Sequence, residues 1–264
     1  MAVGKISRRR MLLAGGALLA LGAAAGFRSI SNGGDLAFED LPRARGFRRI
    51  RGGAVSAPRD FMIGIEETAG GAETTAIGNS PEAICAALHK GDSPPADLVP
   101  IAYFTDYNCP YCRVLSGILE TLSEDPQAGV RIYWHEYPVL GEASLMAARG
   151  ALAARRQGAY KAFHRRLMRS RFLPDENYLR ALAGGMGLDA SRLLRDMGAS
   201  RIDDDLARTR ALARRFALRG TPALVVGRTL VEGDISADRL GRLVALERED
   251  GGWRRLCNAG APEG

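Results

Sequence analysis

The run Leu98-Val99-Pro100-Ile101-Ala102-Tyr103-Phe104-Thr105-Asp106-Tyr107-Asn108-Cys109-Pro110-Tyr111-Cys112 passes from one kind of backbone to another. Leu98 to Phe104 is a short apolar run rich in β-formers, which predicts a buried strand. Asn108-Cys109-Pro110 then starts a helix, because proline is favoured in a first helical turn. Val114, Leu115, Ile118, Leu119 and Leu122 give that helix one apolar face. Cys109 and Cys112 therefore sit one turn apart at a helix start. The first sulfur lies near unsatisfied N–H groups and the positive end of the helix, which stabilises a thiolate and lowers its pKa below the free value of ~8.5. The second is within bridging reach. Cys109 can attack a substrate disulfide and Cys112 can resolve the mixed disulfide, and the reverse reaction oxidises a dithiol. Pro110 and Tyr111, between the sulfurs, tune the potential.

A Cys-x-x-Cys pair can also be half of a zinc site, but no second ligand pair stands at matching spacing, so no metal site is assigned. A soft-metal reading, with Cu(I) on the two thiolates, has no Met- or His-rich support around it. Working outward, Val130 to Trp134 predicts a second strand, and residues 142–218 read almost entirely as helices. Their punctuation is Gly158, Pro174-Asp175, Gly184-Gly185 and Asp189. Tyr160, Phe163 and Leu167 share a face there and read as core. Ala223 to Gly227 is a third strand, Arg228 opens a hairpin into Thr229-Leu230-Val231, and Ser236 caps a last helix over Ala237–Leu246. The order β-α-β, helices, β-β-α is an α/β pattern with an insertion. Just before the third strand stands Gly220-Thr221-Pro222-Ala223, where proline is tolerated as the first residue of a strand.

Three stretches together carry a family resemblance: Phe104 to Cys112, Tyr137-Pro138-Val139-Leu140-Gly141, and Gly220 to Ala223. The chain resembles the DsbA-like branch of the thioredoxin superfamily, which includes DsbG-type proteins, over roughly residues 98–248. The resemblance implies an α/β, thioredoxin-like fold with an inserted helical domain. It implies Cys109 as an exposed nucleophile and Cys112 as its buried partner. It also implies a cis Pro222 facing the sulfurs, with the Thr221 backbone pairing to a bound substrate peptide. Pro110 and Tyr111 join Thr221 and Pro222 as substrate-binding residues. The sequence departs from the family at one position. Many relatives carry a buried acid six residues before the first cysteine, and here that residue is Tyr103. Asp106, His135 and Glu136 lie nearby and one of them could substitute for it, but each reads as an ordinary surface or strand-end residue, so no proton relay is assigned.

The domain reading places an export signal at 1–26, an N-terminal extension with one helix (about 81–90) at 27–97, the DsbA-like domain at 98–250 with its helical insertion at about 142–218, and a tail at 251–264. The signal has a positive start from Lys5 to Arg10, an apolar run from Met11, and small residues at Ala23 to Ala25. Ser7-Arg8-Arg9-Arg10-Met11-Leu12 resembles a twin-arginine signal, with a general secretory signal or an uncleaved anchor as alternatives. The apolar run, about 15 residues, is short of the ~20 that cross a bilayer. Within the extension, Ser80 caps the helix, Phe61 to Ile65 could be a strand, and the cluster Arg43, Arg45, Arg48, Arg49 and Arg51 reads as a solvated segment or a contact with an anionic membrane.

The net charge is +7, but the signal carries four basic residues and no acid, which leaves 33 basic against 30 acidic residues in the rest. That balance is too even to argue for nucleic acid. Cys85 and Cys257 are an even remainder, open to a structural disulfide across a large loop or to two free buried thiols. His89 reads as solvent-facing, His164 as one residue of a basic helix, and Trp134 and Trp253 as packing residues. The expected activity is thiol–disulfide exchange outside the cytoplasm, as oxidase, isomerase or client-specific reductase. No cofactor is expected. The expected partners are cysteine-containing exported proteins and a membrane or periplasmic redox partner, with the oligomeric state left open.

Overall fold

The computed structural model describes residues 36–58, 77–170 and 174–258. The export signal at 1–26 and the strand expected at 61–65 lie outside the described residues. The described residues from 37 onward cluster as one unit, to which all the elements below belong.

Six strands form one mixed sheet in the order β1-β2-β6-β5-β3-β4. They are β1 (Glu39–Asp40), β2 (Arg48–Arg51), β3 (Val99–Thr105), β4 (Val130–Glu136), β5 (Ala223–Val226) and β6 (Thr229–Glu232). Every residue of β3 is buried, as a central strand covered on both faces requires. Its proline is accommodated at one end. The Pro100 carbonyl accepts from Gly227 N at 2.8 Å, beyond the β3–β5 ladder that begins at Ile101, so the missing N–H costs no ladder bond. Strand β4 runs parallel to β3, and β5 antiparallel.

The helices are α1 (Pro81–Leu88), α2 (Pro110–Glu124), α3 (Glu142–Arg155), α4 (Tyr160–Arg169), α5 (Glu176–Gly185), α6 (Ala190–Met197), α7 (Ser200–Arg215), α8 (Ala237–Asp250) and α9 (Gly252–Cys257). Ser80, Asp175, Asp189 and Ser236 accept backbone N–H bonds at the starts of α1, α5, α6 and α8, so side-chain caps set those boundaries. Helices α3 to α7 fill the interval between β4 and β5. In α2 the buried residues are Cys112, Leu115, Ser116 and Leu119, an i, i+3, i+4, i+7 stripe. Val114 falls off that stripe and is 68% exposed, so it does not belong to the apolar face read from the sequence.

The N-terminal extension contributes more than one helix. Strand β2 pairs in parallel with β6, and Phe47 packs edge-on against Phe216 of the loop after α7, with ring centroids 5.2 Å apart. The arginine cluster is correspondingly not a uniform solvated segment. Arg48 Nη2 meets Glu247 Oε1 at 2.8 Å, and Thr229 Oγ1 donates to the same oxygen at 2.6 Å. Glu247 is fully buried, so a carboxylate on α8 tethers the strand to which Arg48 belongs. Arg49 pairs with Glu39 on the exposed edge.

Cys85 on α1 and Cys257 at the end of α9 are bonded to each other, with Cα atoms 5.5 Å apart. The bond joins the extension to the C-terminal tail. Among the described residues no helix is long and apolar enough to cross a membrane.

Candidate active site

Cys109 is the N-cap of α2. Its sulfur accepts from Cys112 N at 3.3 Å, and Pro110 occupies the first helical position. The two sulfurs are not bonded to each other here, and both cysteines are buried. Burial beneath Ser56 is a departure from the exposed nucleophile expected of Cys109. Ser56 N donates to Thr221 O at 2.7 Å, Thr221 N donates to Ser56 O at 2.9 Å, and the Cys109 thiol donates to that same Thr221 oxygen at 3.4 Å. The Thr221–Pro222 peptide bond is cis. Pro110 is exposed and Tyr111 half-buried, and Val114, one turn after Pro110 on α2, is exposed as well.

The two thiols titrate in opposite directions. A hydrogen bond from the Cys112 thiol, then the Ser56 hydroxyl and the Cys112 N–H, pull Cys109 down to about 6 against its burial. Burial, followed by the hydrogen bond and charge of Cys109, pushes Cys112 well above the ordinary thiol range. One sulfur is thus a thiolate near neutrality, and the other holds its proton.

His135 and Glu136 end β4, as the strand-end reading has it, but neither they nor Asp106 lie at the surface: all three are buried. Asp106 explains the Tyr137–Gly141 motif. Its carboxylate accepts from Asn108 N at 2.8 Å, Ser144 Oγ at 2.6 Å, Val139 N at 2.7 Å and Leu140 N at 3.0 Å. It ties the turn after β4 to the turn before Cys109. His135 Nε2 bonds the Leu88 carbonyl at 2.8 Å and stacks on Phe104. His89, expected at the surface, is buried against Tyr133, and desolvation lowers its pKa to about 4.

Behind α2 runs a polar chain that the sequence did not disclose. Tyr107 and Tyr160 donate to Glu136 Oε1 at 2.8 and 2.5 Å. The Tyr107 oxygen lies 2.8 Å from His164 Nδ1, and His164 Nε2 lies 3.2 Å from Ser116 Oγ. Ser116 Oγ is 3.3 Å from the Tyr103 hydroxyl, which donates to the Cys112 carbonyl at 3.0 Å. With the Tyr107 proton on Glu136, Nδ1 must carry the imidazole proton and Nε2 must accept from Ser116. His164 does sit among basic residues on α4, as read from the sequence, but its ring is buried, and desolvation keeps it neutral with its pKa lowered to about 3.

Burial raises Glu136 to about 7, against which the two tyrosine bonds act, and its Oε2 is buried without a partner. A folded-state pKa above the unfolded value of 4.5 makes the folded form bind more protons between the two. The stabilisation is full below about 4.5 and is lost as pH rises through about 7. Glu136→Gln keeps the acceptor oxygen and removes the titration. Urea midpoints of wild type and variant at pH 5 and pH 8 should show the wild type losing roughly 2–3 kcal/mol more than the variant. Equal losses would mean that Glu136 is ionised throughout.

Among the described residues no group of three or more His, Cys, Asp or Glu side chains is placed to hold a metal ion. Ser56, Val114 and the Glu136–His164 chain were missed from sequence. Ser56 lies in Gly52-Gly53-Ala54-Val55-Ser56-Ala57-Pro58, which carries no motif.

A mixed sheet that delivers a Cys-x-x-Cys pair to a helix start, opposite a cis-proline loop, defines a thiol–disulfide oxidoreductase. The chain belongs to the family of the DSBA-like thioredoxin domain, which matches residues 100–245. It is similar to a thioredoxin-like oxidoreductase from Silicibacter pomeroyi DSS-3, at 38% identity and a TM-score of 0.57, covering 62% of this chain and 97% of that one. A thiol-disulfide exchange protein, alpha-DsbA2 from Wolbachia pipientis, matches at 25% identity and a TM-score of 0.53, covering 56% of this chain and 81% of that one. A periplasmic thioredoxin-like protein from Salmonella enterica serovar Typhimurium matches at 27% and 0.53, covering 63% and 96%. No curated protein is similar enough to be matched.

Proposed function

We propose that Cys109 is the exchanging thiolate, that Cys112 is the resolving thiol, and that the enzyme acts as an oxidant of exported cysteine-containing proteins. The observation that carries this reading is the opposed titration of the two sulfurs, Cys109 drawn down to about 6 and Cys112 pushed up. In the oxidising direction a substrate thiolate attacks Cys109 Sγ. The Cys109–Cys112 bond breaks and Cys112 leaves with the electron pair and takes a proton. A second substrate thiolate then attacks its own partner sulfur, and Cys109 leaves as a thiolate. A low leaving-group pKa speeds that last step and stabilises the reduced enzyme, which makes the disulfide oxidising. The main chain of Thr221, beside Pro222, offers one N–H and one C=O to an extended substrate peptide. Pro110, Tyr111 and Val114 offer it apolar surface.

The sequence of residues 1–26 supports export, on the twin-arginine reading, to the periplasm. A membrane or periplasmic partner would then reoxidise the dithiol. Equilibration with glutathione buffers tests the reading, with the bridge mapped by mass spectrometry. A Cys109–Cys112 disulfide with a potential nearer about −120 than about −270 mV is expected. Alkylation of reduced Cys109 should show a midpoint near 6. A midpoint near the free value of ~8.5, with a low potential, would favour the reductase or isomerase reading instead.

A further inference from the structure

The peptide-docking edge proposed above is not vacant. Ser56 makes both backbone hydrogen bonds that Thr221 has to offer, as an isolated antiparallel bridge. Thr221 O receives Ser56 N at 2.7 Å and the Cys109 thiol at 3.4 Å, so the Ser56 backbone and the sulfur converge on one atom. The Ser56 side chain is among the groups that draw the Cys109 thiol down, which places it beside that sulfur. Gly220 is glycine for the same reason, since a Cβ there would stand 2.1 Å from Ser56 O. Upstream, Gly53 N donates to Asp234 O at 2.8 Å and Asp234 N donates to Ala54 O at 3.0 Å. A Cβ on Gly52 or on Gly53 would meet Glu232 O or Asp234 Oδ1 at 1.9 Å. The approach is thus built by glycines on both sides. Yet the segment buries no large apolar side chain: Ala54 and Ala57 are exposed, and Val55 and Ser56 half-buried. Hydrogen bonds hold it, most of them between main chains, with Ala54 N also donating to Asp234 Oδ1, and such a segment opens locally without unfolding the sheet.

We propose that residues 52–57 are an internal pseudosubstrate, with Ser56 standing where the cysteine of an extended substrate peptide stands. The inference rests on the reading of Thr221 as the docking edge. Serine differs from cysteine only in its chalcogen, so it presents a hydroxyl to Cys109 and cannot form a disulfide. The segment must swing away before a client chain pairs with Thr221, and it shields the Cys109 thiolate until then.

Ser56→Cys in a Cys112→Ser background tests this in the full chain with glutathione disulfide as oxidant. Cys109 first takes glutathione and releases one thiol. The introduced thiol then displaces the second glutathione and bonds to Cys109 Sγ. We expect this internal disulfide to exceed glutathionylated Cys109 by about tenfold or more, because a neighbouring thiol acts at a high effective concentration. Glutathionylated Cys109 beside a free introduced thiol overturns the inference. The Cys112→Ser chain alone separates the two readings. If its Cys109 takes up no glutathione even when Ser56→Pro is added to open the segment, the nucleophile reading falls and the inference with it. If it reacts while the double variant forms no internal bond, the inference alone falls. Ser56→Pro removes the N–H that meets Thr221 O and should speed alkylation of reduced Cys109, above its titration midpoint, by about fivefold. An unchanged rate overturns the shielding role.

Discussion

Cys109→Ser is expected to lower thiol–disulfide exchange by on the order of 10⁴-fold or more, the scale of losing a covalent nucleophile. The hydrogen bonds that draw the Cys109 thiol down to about 6 cannot do the same for an alkanol, whose proton is held far more tightly. Fluorescence assays of a dithiol peptide measure the loss. More than about a hundredth of the wild-type rate in the variant would mean that another group carries the chemistry. Cys112→Ser should behave differently. Attack at Cys109 persists while resolution fails, so mixed disulfides with clients accumulate and can be isolated. The asymmetry follows from geometry: Cys109 caps the helix and faces the Thr221 oxygen, whereas Cys112 is sealed on the buried stripe of α2.

Removing the Cys85–Cys257 bond should cost about 3–5 kcal/mol of stability and leave the chemistry of the folded enzyme intact. The two cysteines are separated by 172 residues, so the bond closes about two-thirds of the 264-residue chain into one loop. In the entropic account, long loops give the larger stabilisation. Cys85→Ala with Cys257→Ala avoids placing hydroxyls in the core that Cys85, Ile84 and Leu88 share. Urea denaturation of the oxidised double variant and wild type gives the difference. A loss below about 1 kcal/mol would mean that the unfolded chain is already constrained or that α1 and α9 hold without the bond.

Much of the site was legible because its physics is local. The Cys-Pro-Tyr-Cys spacing, a proline in the first turn and an apolar run before it fix a strand, a turn and a helix start within one short segment. The cap at Ser236 and the helices from Glu142 to Arg215 were legible for the same reason: caps and helical periodicity act between residues three or four apart. Val114 shows where that logic stops. Its spacing fits an apolar stripe, but only the direction of the sheet decides which stripe is covered.

The arginines of β2 were unreadable for a related reason. A strand with three charged residues in four has no apolar alternation, and it forms because Glu247 on α8 and the edge of β6 receive it. Glu136 and His164 looked ordinary in sequence. Burial gives them their states, and burial belongs to the packed chain. By itself, then, the sequence determined the Cys-x-x-Cys pair, the helix that starts at it and the family it resembles, all through short-range backbone and side-chain chemistry. The tertiary structure decided that Cys85 meets Cys257, that Glu136 holds its proton near neutrality, and that Ser56 lies over Cys109. Each of these is a distance between residues far apart in the chain, set by how the sheet and helices pack.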